Sequence, residues 1–175
     1  TTGRTFEDTG WLLDDPQGGE PSLIRANYAK RQIEVGTEDM GIYRFADWLP
    51  VGRMLKGSCA PITYKSKKLA EVLGLKNLYI TFNGYNPKIG ANMRTCSFKE
   101  TEAYSVCARL RANQEDKVSV VASAGNTARA FARVCSDNNI PLLLSVPEDN
   151  LDALWFDTPL NDCVKLIAAR KGGDY

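Results

Sequence analysis

The chain has 175 residues, 43% of them apolar, which suits one domain with a real core or one domain plus an arm. Its 22 basic and 21 acidic residues leave a net charge of +1, without the basic surplus that a nucleic acid or an acidic membrane surface requires. Histidine is absent, so the chain alone cannot assemble a Ser-His-Asp or Cys-His nucleophile pair, and acid–base chemistry falls to lysine, a carboxylate or a cofactor.

The first 21 residues are polar and rich in breakers, and predict an arm ending in a loop. Residues 22–35 predict a strand from Ile24, Tyr28, Ile33 and Val35. A short aromatic segment, 41–50, closes at Pro50, and a linker follows from Gly52 to Gly57. Ser66 is placed to cap a short helix that Gly74 ends. Residues 77–82 read as a strand and 83–95 as a loop with several breakers. After Ser97, Ala103, Val106, Cys107 and Leu110 recur at helical spacing. Strands are predicted at 117–122, 141–146 and 163–169, with a helix at 127–137 and a helical turn near 150–156.

Strands alternating with helices predict βαβ units around a parallel sheet, and the unbroken apolar runs predict strands buried on both faces. The last strand has no crossover helix after it, so the end reads as a cut. The five cysteines, Cys59, Cys96, Cys107, Cys135 and Cys163, show no C-x-x-C spacing and read as free thiols with no metal site. No apolar run is long enough to span a bilayer and no signal peptide opens the chain, so the cytoplasm is the expected location.

Two motifs carry chemistry. In Ser123-Ala124-Gly125-Asn126-Thr127 a buried strand runs through a polar turn into a helix. Such a turn sits at the carboxyl end of a parallel strand, where open α/β sheets bind ligands, and the helix start offers free N–H groups to an anion. Taken alone, it is equally well an ordinary helix cap. In Ser97-Phe98-Lys99 a lysine stands at a helix start, where the dipole disfavours an ammonium and favours the neutral amine a Schiff base needs. A lone lysine there is more often solvated surface.

Together the two motifs resemble the fold-type II pyridoxal 5'-phosphate (PLP) enzymes, which have a tryptophan-synthase-β-like α/β fold. Ser97-Phe98-Lys99 is similar to their SFK motif and Ser123 to Thr127 to their SxGNT loop. The resemblance implies that Lys99 binds the cofactor covalently and is the catalytic base. It implies that Asn126 contacts the cofactor ring oxygen, and that Ser123, Ala124, Gly125 and Thr127 hold the substrate carboxylate. Gly41 to Phe45 with Leu49-Pro50, the stretch from Leu69 to Tyr79, and Gly172-Gly173-Asp174-Tyr175 resemble threonine-synthase segments in the same order.

Departures narrow the branch. Ser58-Cys59-Ala60-Pro61-Ile62 lacks the threonine of the usual GGTPL loop, and Lys88 to Cys96 is inserted between Asn86-Pro87 and Ser97. Glu100-Thr101 replaces the Asp-Arg that usually follows the lysine. This pattern looks nearest to the archaeal cysteate-synthase branch of the threonine-synthase-like family.

That branch implies a PLP-dependent β-replacement on O-phosphoserine with sulfite, through an aminoacrylate, giving L-cysteate and phosphate for coenzyme M biosynthesis. Lys88 and Arg94, in the insertion, are the expected contacts for these anions. Partners are then a small amino-acid substrate and sulfite, with a homo-oligomeric protein. In domain terms, residues 1–56 would be an arm and strands of the larger domain, and 57–175 an α/β domain that stops before the phosphate loop. No GGGxG-like loop is seen, so the isolated piece is expected to hold PLP weakly or not at all. The rival readings are a threonine synthase acting on O-phosphohomoserine, and a non-catalytic or incomplete α/β small-molecule-binding domain.

Overall fold

The computed structural model describes residues 3–9, 12, 14–21, 23–110 and 117–170. Trp11 and the Gly172-Gly173-Asp174-Tyr175 segment lie outside the described residues.

A kinked 3-10 helix, Glu38–Trp48, opens the ordered elements. β1 (Ile62–Lys65) and β2 (Tyr79–Phe82) pair antiparallel around the short α1 (Lys68–Val72). A two-residue hairpin follows, β3 (Tyr85–Asn86) with β4 (Ala91–Asn92). Then come α2 (Lys99–Arg109), β5 (Ser119–Ala122), α3 (Asn126–Asp137), β6 (Leu142–Pro147) and β7 (Val164–Ala169). β5, β6 and β7 form a parallel sheet in that order, with Val121 beside Leu144 and Leu144 beside Leu166. The α/β architecture with a parallel sheet is as the sequence predicts.

α3 is the centre of the core. Ala128, Ala130, Ala132, Val134 and Cys135 are fully buried, and these small side chains let the helix lie close to both β6 and α2. From β6 it meets Leu142, Leu144 and Val146; from α2 it meets Ala103, Tyr104, Cys107 and Ala108. Its end is built for a sharp stop. Asn139 takes φ 52°, Asn139 N–H donates to the Ser136 carbonyl, and Ile140 N–H donates to the Cys135 carbonyl at 2.9 Å, with Ile140 buried beneath. This is the Schellman pattern with asparagine in place of glycine.

Long-range clasps bring the amino-terminal elements to this core. The Asn138 amide accepts from Lys56 N–H at 2.8 Å and donates to the Lys56 carbonyl at 3.2 Å. Tyr43 donates its hydroxyl to the Tyr104 carbonyl at 3.0 Å, ring edge against ring face. Gly41, at φ 57°, lies so close to residues 58–59 that a Cβ there would come within 2.4 Å of the Ser58 carbonyl.

Three expectations are corrected. Residues 23–35 form no strand: Leu23 is 98% exposed, and the segment lies on the 3-10 helix through side chains. Trp48 Nε1 donates to the Lys30 carbonyl, Tyr28 stacks at 5.8 Å from Trp48, and Lys30 pairs with Asp47. The strands are not buried on both faces: β6 is buried on one face, and in β7 Leu166 and Ile167 are both exposed. α3 covers Leu142, Leu144 and Val146, while Val120 and Ile167 on the opposite face stay exposed among the described residues. Finally, α1 starts after Lys67 with no side-chain cap, so Ser66 does not cap it, although Gly74 does end it at φ 65°.

Burial predicts alkaline sensitivity. It pushes the Tyr43 phenol from 10.0 up to about 12, and the Tyr104 phenol upward as well. Raised phenols mean that the fold keeps protons which the unfolded chain has lost. The contribution of Tyr43 is complete below pH 10 and is lost as pH rises from there through about 12, and that of Tyr104 is lost in the same direction. Urea unfolding is expected to show stability falling by about 1.4 kcal/mol per pH unit for each such phenol. Tyr43→Phe should flatten that slope; an unchanged slope would count against Tyr43 as a source.

Candidate active site

Lys99 is the first residue of α2, with Phe98 before it. The loop that delivers it turns sharply at Cys96, whose φ of 53° is unusual for a residue with a side chain. Ser97, itself buried, accepts the Lys99 N–H on its hydroxyl at 3.2 Å and the Glu100 N–H on its carbonyl at 3.0 Å, which starts the helix. The Lys99 side chain is 31% exposed, and its amine lies 5.3 Å from the Phe98 ring centre and pairs with Glu102 one turn on. An exposed pair at this spacing is worth about 0–1 kcal/mol, so the amine is cheaply released to a ligand.

Glu100 holds the loop from inside. It is 1% exposed, and its carboxylate accepts from Thr95 N–H at 2.6 Å, Thr95 Oγ1 at 2.7 Å, Arg94 N–H at 3.3 Å and the Cys59 thiol at 3.2 Å. Burial, then the charge and hydrogen bond of Glu100, push the Cys59 thiol far up, so it stays a neutral donor. Sequence reasoning missed this role. The visible signal was a glutamate beside the candidate lysine on a helix face that also carries Ala103, Tyr104 and Cys107.

The second motif caps α3. Gly125 is the N-cap and brings no side chain to the first turn, so its N–H groups remain open to an anion. Ser123 Oγ accepts from Gly125 N–H at 3.4 Å and stiffens the turn. Asn126 is the first helical residue, followed by Thr127.

One side chain joins the two motifs. Arg129, buried in α3, donates to Asn126 Oδ1 at 3.1 Å and to the Thr95 carbonyl, four residues before Lys99. Its guanidinium carbon lies over the Trp155 ring, 3.7 Å from the ring centre. The structure thus brings the Lys99 loop and the Asn126 turn to one place, through a residue the sequence did not single out. Its signal was the Asn126-x-x-Arg129 spacing, which puts both residues on one helix face.

The inserted segment is placed differently. Lys88 stands on a 3-10 turn, Pro87–Ile89, between β3 and β4. Arg94 is spent on protein groups: Nε and one Nη go to Asp157 at 2.6 and 3.0 Å, the other Nη to Asp137 at 2.8 Å, and Thr158 Oγ1 accepts a further bond at 2.8 Å. The hydrogen bond to Asp157 raises the Arg94 pKa, and burial pushing Asp157 upward is outweighed by Arg94 and Arg133, which hold it below the usual carboxylate range. Arg133 bonds the same Thr158 and pairs with Asp137, so the pair of arginines latches residues 157–158 onto α3.

A cleft of about 730 Å³ opens elsewhere, lined by Arg44, Ser58, Tyr64 and Asn92 among others, and contains neither Lys99 nor residues 123–127. Cys59 lines it and also reaches Glu100, so cleft and lysine loop share a wall. Among the described residues, no cluster of His, Cys, Asp and Glu could hold a metal ion, and no helix is long and apolar enough to cross a membrane.

Fold and site together define an α/β protein with a lysine at one helix start and a polar, anion-ready turn at the next. No family model matches the chain. It is 46% identical over 157 residues to the cysteate synthase of Methanococcoides burtonii, a match covering 89% of this chain and 37% of that protein. The cysteate synthase of Methanothrix thermoacetophila is 50% identical over 134 residues, covering 76% of this chain and 32% of that protein. That of Methanocorpusculum labreanum is 40% identical over 179 residues, covering 100% of this chain and 41% of that protein. The likeness read from the motifs is thereby borne out: the chain is similar to archaeal cysteate synthases over most of its length. It spans well under half the length of these curated relatives.

Proposed function

We propose that this chain carries the lysine-bearing part of a cytosolic, PLP-dependent cysteate synthase of the fold-type II class, working as a homo-oligomer. The reaction is a β-replacement: phosphate leaves Cβ of O-phosphoserine and the sulfur of sulfite takes its place, giving L-cysteate. One observation carries this reading, the likeness to cysteate synthases across a stretch that includes both Lys99 and residues 123–127.

The donor set fits such a cofactor and substrate. Lys99 offers a partly exposed amine on a loop fixed from within by Glu100. Asn126 offers its amide, and Ser123, Ala124, Gly125 and Thr127 surround the open N–H groups at the start of α3, where a substrate carboxylate would sit. When bound, PLP supplies an electron sink for charge developing at Cα. Lys99 Nζ would hold the cofactor covalently and, once displaced by the substrate amine, take the proton from Cα.

Lys88 and Arg94 enter this reading as contacts for the phosphate or sulfite anions. Arg94 must exchange Asp157 or Asp137 to do so. Arg94→Ala in the full-length protein is expected to raise KM for O-phosphoserine or sulfite. Unchanged constants with a lowered Tm would reduce Arg94 to the latch seen here.

The decisive experiment adds PLP to the full-length protein, reduces with borohydride and maps the modified peptide by mass spectrometry. An adduct on Lys99 is the expected result. An unmodified Lys99 would overturn the proposal, and feeding O-phosphohomoserine against O-phosphoserine plus sulfite separates the threonine-synthase alternative.

A further inference from the structure

We infer that Arg129 is the positioning residue of this site: it fixes which way the Asn126 amide faces and ties that amide to the loop bearing Lys99. The inference rests on the cofactor role proposed above for Lys99 and Asn126.

The direction follows from hydrogen-bond chemistry. A guanidinium carries only donors. Its contact with Asn126 at 3.1 Å therefore makes the asparagine oxygen the acceptor, and leaves both Nδ2 hydrogens to serve a ligand. A free asparagine at a helix start could present either end. Held by Arg129, it presents a donor, which suits an electron-rich oxygen on the ligand and disfavours a ligand donor.

The tie follows from connectivity. Arg129 donates to the Thr95 carbonyl, while the N–H and hydroxyl of the same Thr95 are held by Glu100. Two buried ions, one from each helix, thus grip one residue from opposite sides. Glu100 is the covalent neighbour of Lys99, so lysine, loop and asparagine form one continuous construction. Arg129 is 7% exposed, and Trp155 at 3.7 Å shields it from water, which strengthens both bonds. A merely solvated arginine would need neither cover nor two fixed acceptors.

The test is a double-mutant cycle on PLP affinity in the full-length protein, read by equilibrium titration together with the visible absorbance of the bound cofactor. Asn126→Ala and Arg129→Met are each expected to raise the PLP Kd about tenfold, as for the loss of one well-made polar contact. The double variant is expected to lie within about twofold of the weaker single one, because Arg129 acts through Asn126. An arginine that only supports the fold would give losses that multiply. Multiplied losses, or an unchanged Kd in the arginine variant, overturn the inference. Arg129→Lys keeps a cation beneath Trp155 but has one nitrogen for two acceptors. It is expected to give the same pattern at smaller amplitude, so the cycle stands even if the methionine variant does not fold. Absence of any Lys99 adduct in the unmutated protein would overturn the cofactor reading and this inference together; an adduct with multiplied losses overturns this inference alone.

Discussion

Lys99→Ala in the full-length protein is expected to abolish the borohydride-reducible adduct and to lower turnover by at least about a thousandfold. Covalent capture and proton transfer at Cα both belong to this one amine in the proposed chemistry, and general acid–base catalysis alone contributes about 10²–10⁴-fold. The fold should tolerate the change. The lysine side chain is partly exposed, its ion pair with Glu102 is worth little, and alanine suits the first turn of a helix. An unaltered Tm of the cofactor-free protein beside lost turnover is therefore the expected signature, measured by thermal unfolding and steady-state kinetics. Turnover retained within about tenfold would remove Lys99 from the chemistry.

Glu100→Ala is expected to cost stability more than any other single change near the site, about 3–5 kcal/mol in urea unfolding. The substitution strips four donors of their acceptor at once, two of them backbone N–H groups at Arg94 and Thr95. Buried donors left unpaired cost about 1–3 kcal/mol each, and breaking a buried ionic arrangement about 3–5 kcal/mol. Glu100→Gln keeps the shape but turns an NH2 group toward donors. It is expected to recover only part of the loss. A glutamine variant as stable as the unmutated chain would show that the second carboxylate oxygen is not what holds Thr95.

The parallel sheet and α3 were legible because their signals are local. Residues 126–137 place small apolar side chains all along one helix, and each strand is a short run of β-branched or aliphatic residues ending in a turn. The lysine and the SAGNT turn stood out only as a pair that resembles the motifs of a known family, since a helix start by itself left each with an ordinary reading. Residues 22–35 misled because Tyr28 and Ile33 carry strand propensity, while their outcome depends on Trp48 and Asp47, which a window of that length does not include. Arg129 and Glu100 misled in the other direction. Charged residues on a helix ordinarily face water, and only the meeting of two helices at Thr95, 34 residues from Arg129 in the chain, turns them inward. Such contacts leave almost no trace in spacing. The same holds for Arg94, whose partners Asp137 and Asp157 are 43 and 63 residues away.

The clasps between the front of the chain and the core bear on how the protein is made. Tyr43 waits for Tyr104, 61 residues later, and Lys56 waits for Asn138, 82 residues later. Contacts so far apart form slowly, since the intervening chain must be closed into a loop before any energy is returned. During synthesis the amino-terminal segment thus leaves the ribosome well ahead of the surface it will dock on. Its aromatic residues stay open to chaperones and proteases until α3 has emerged and wound to its end.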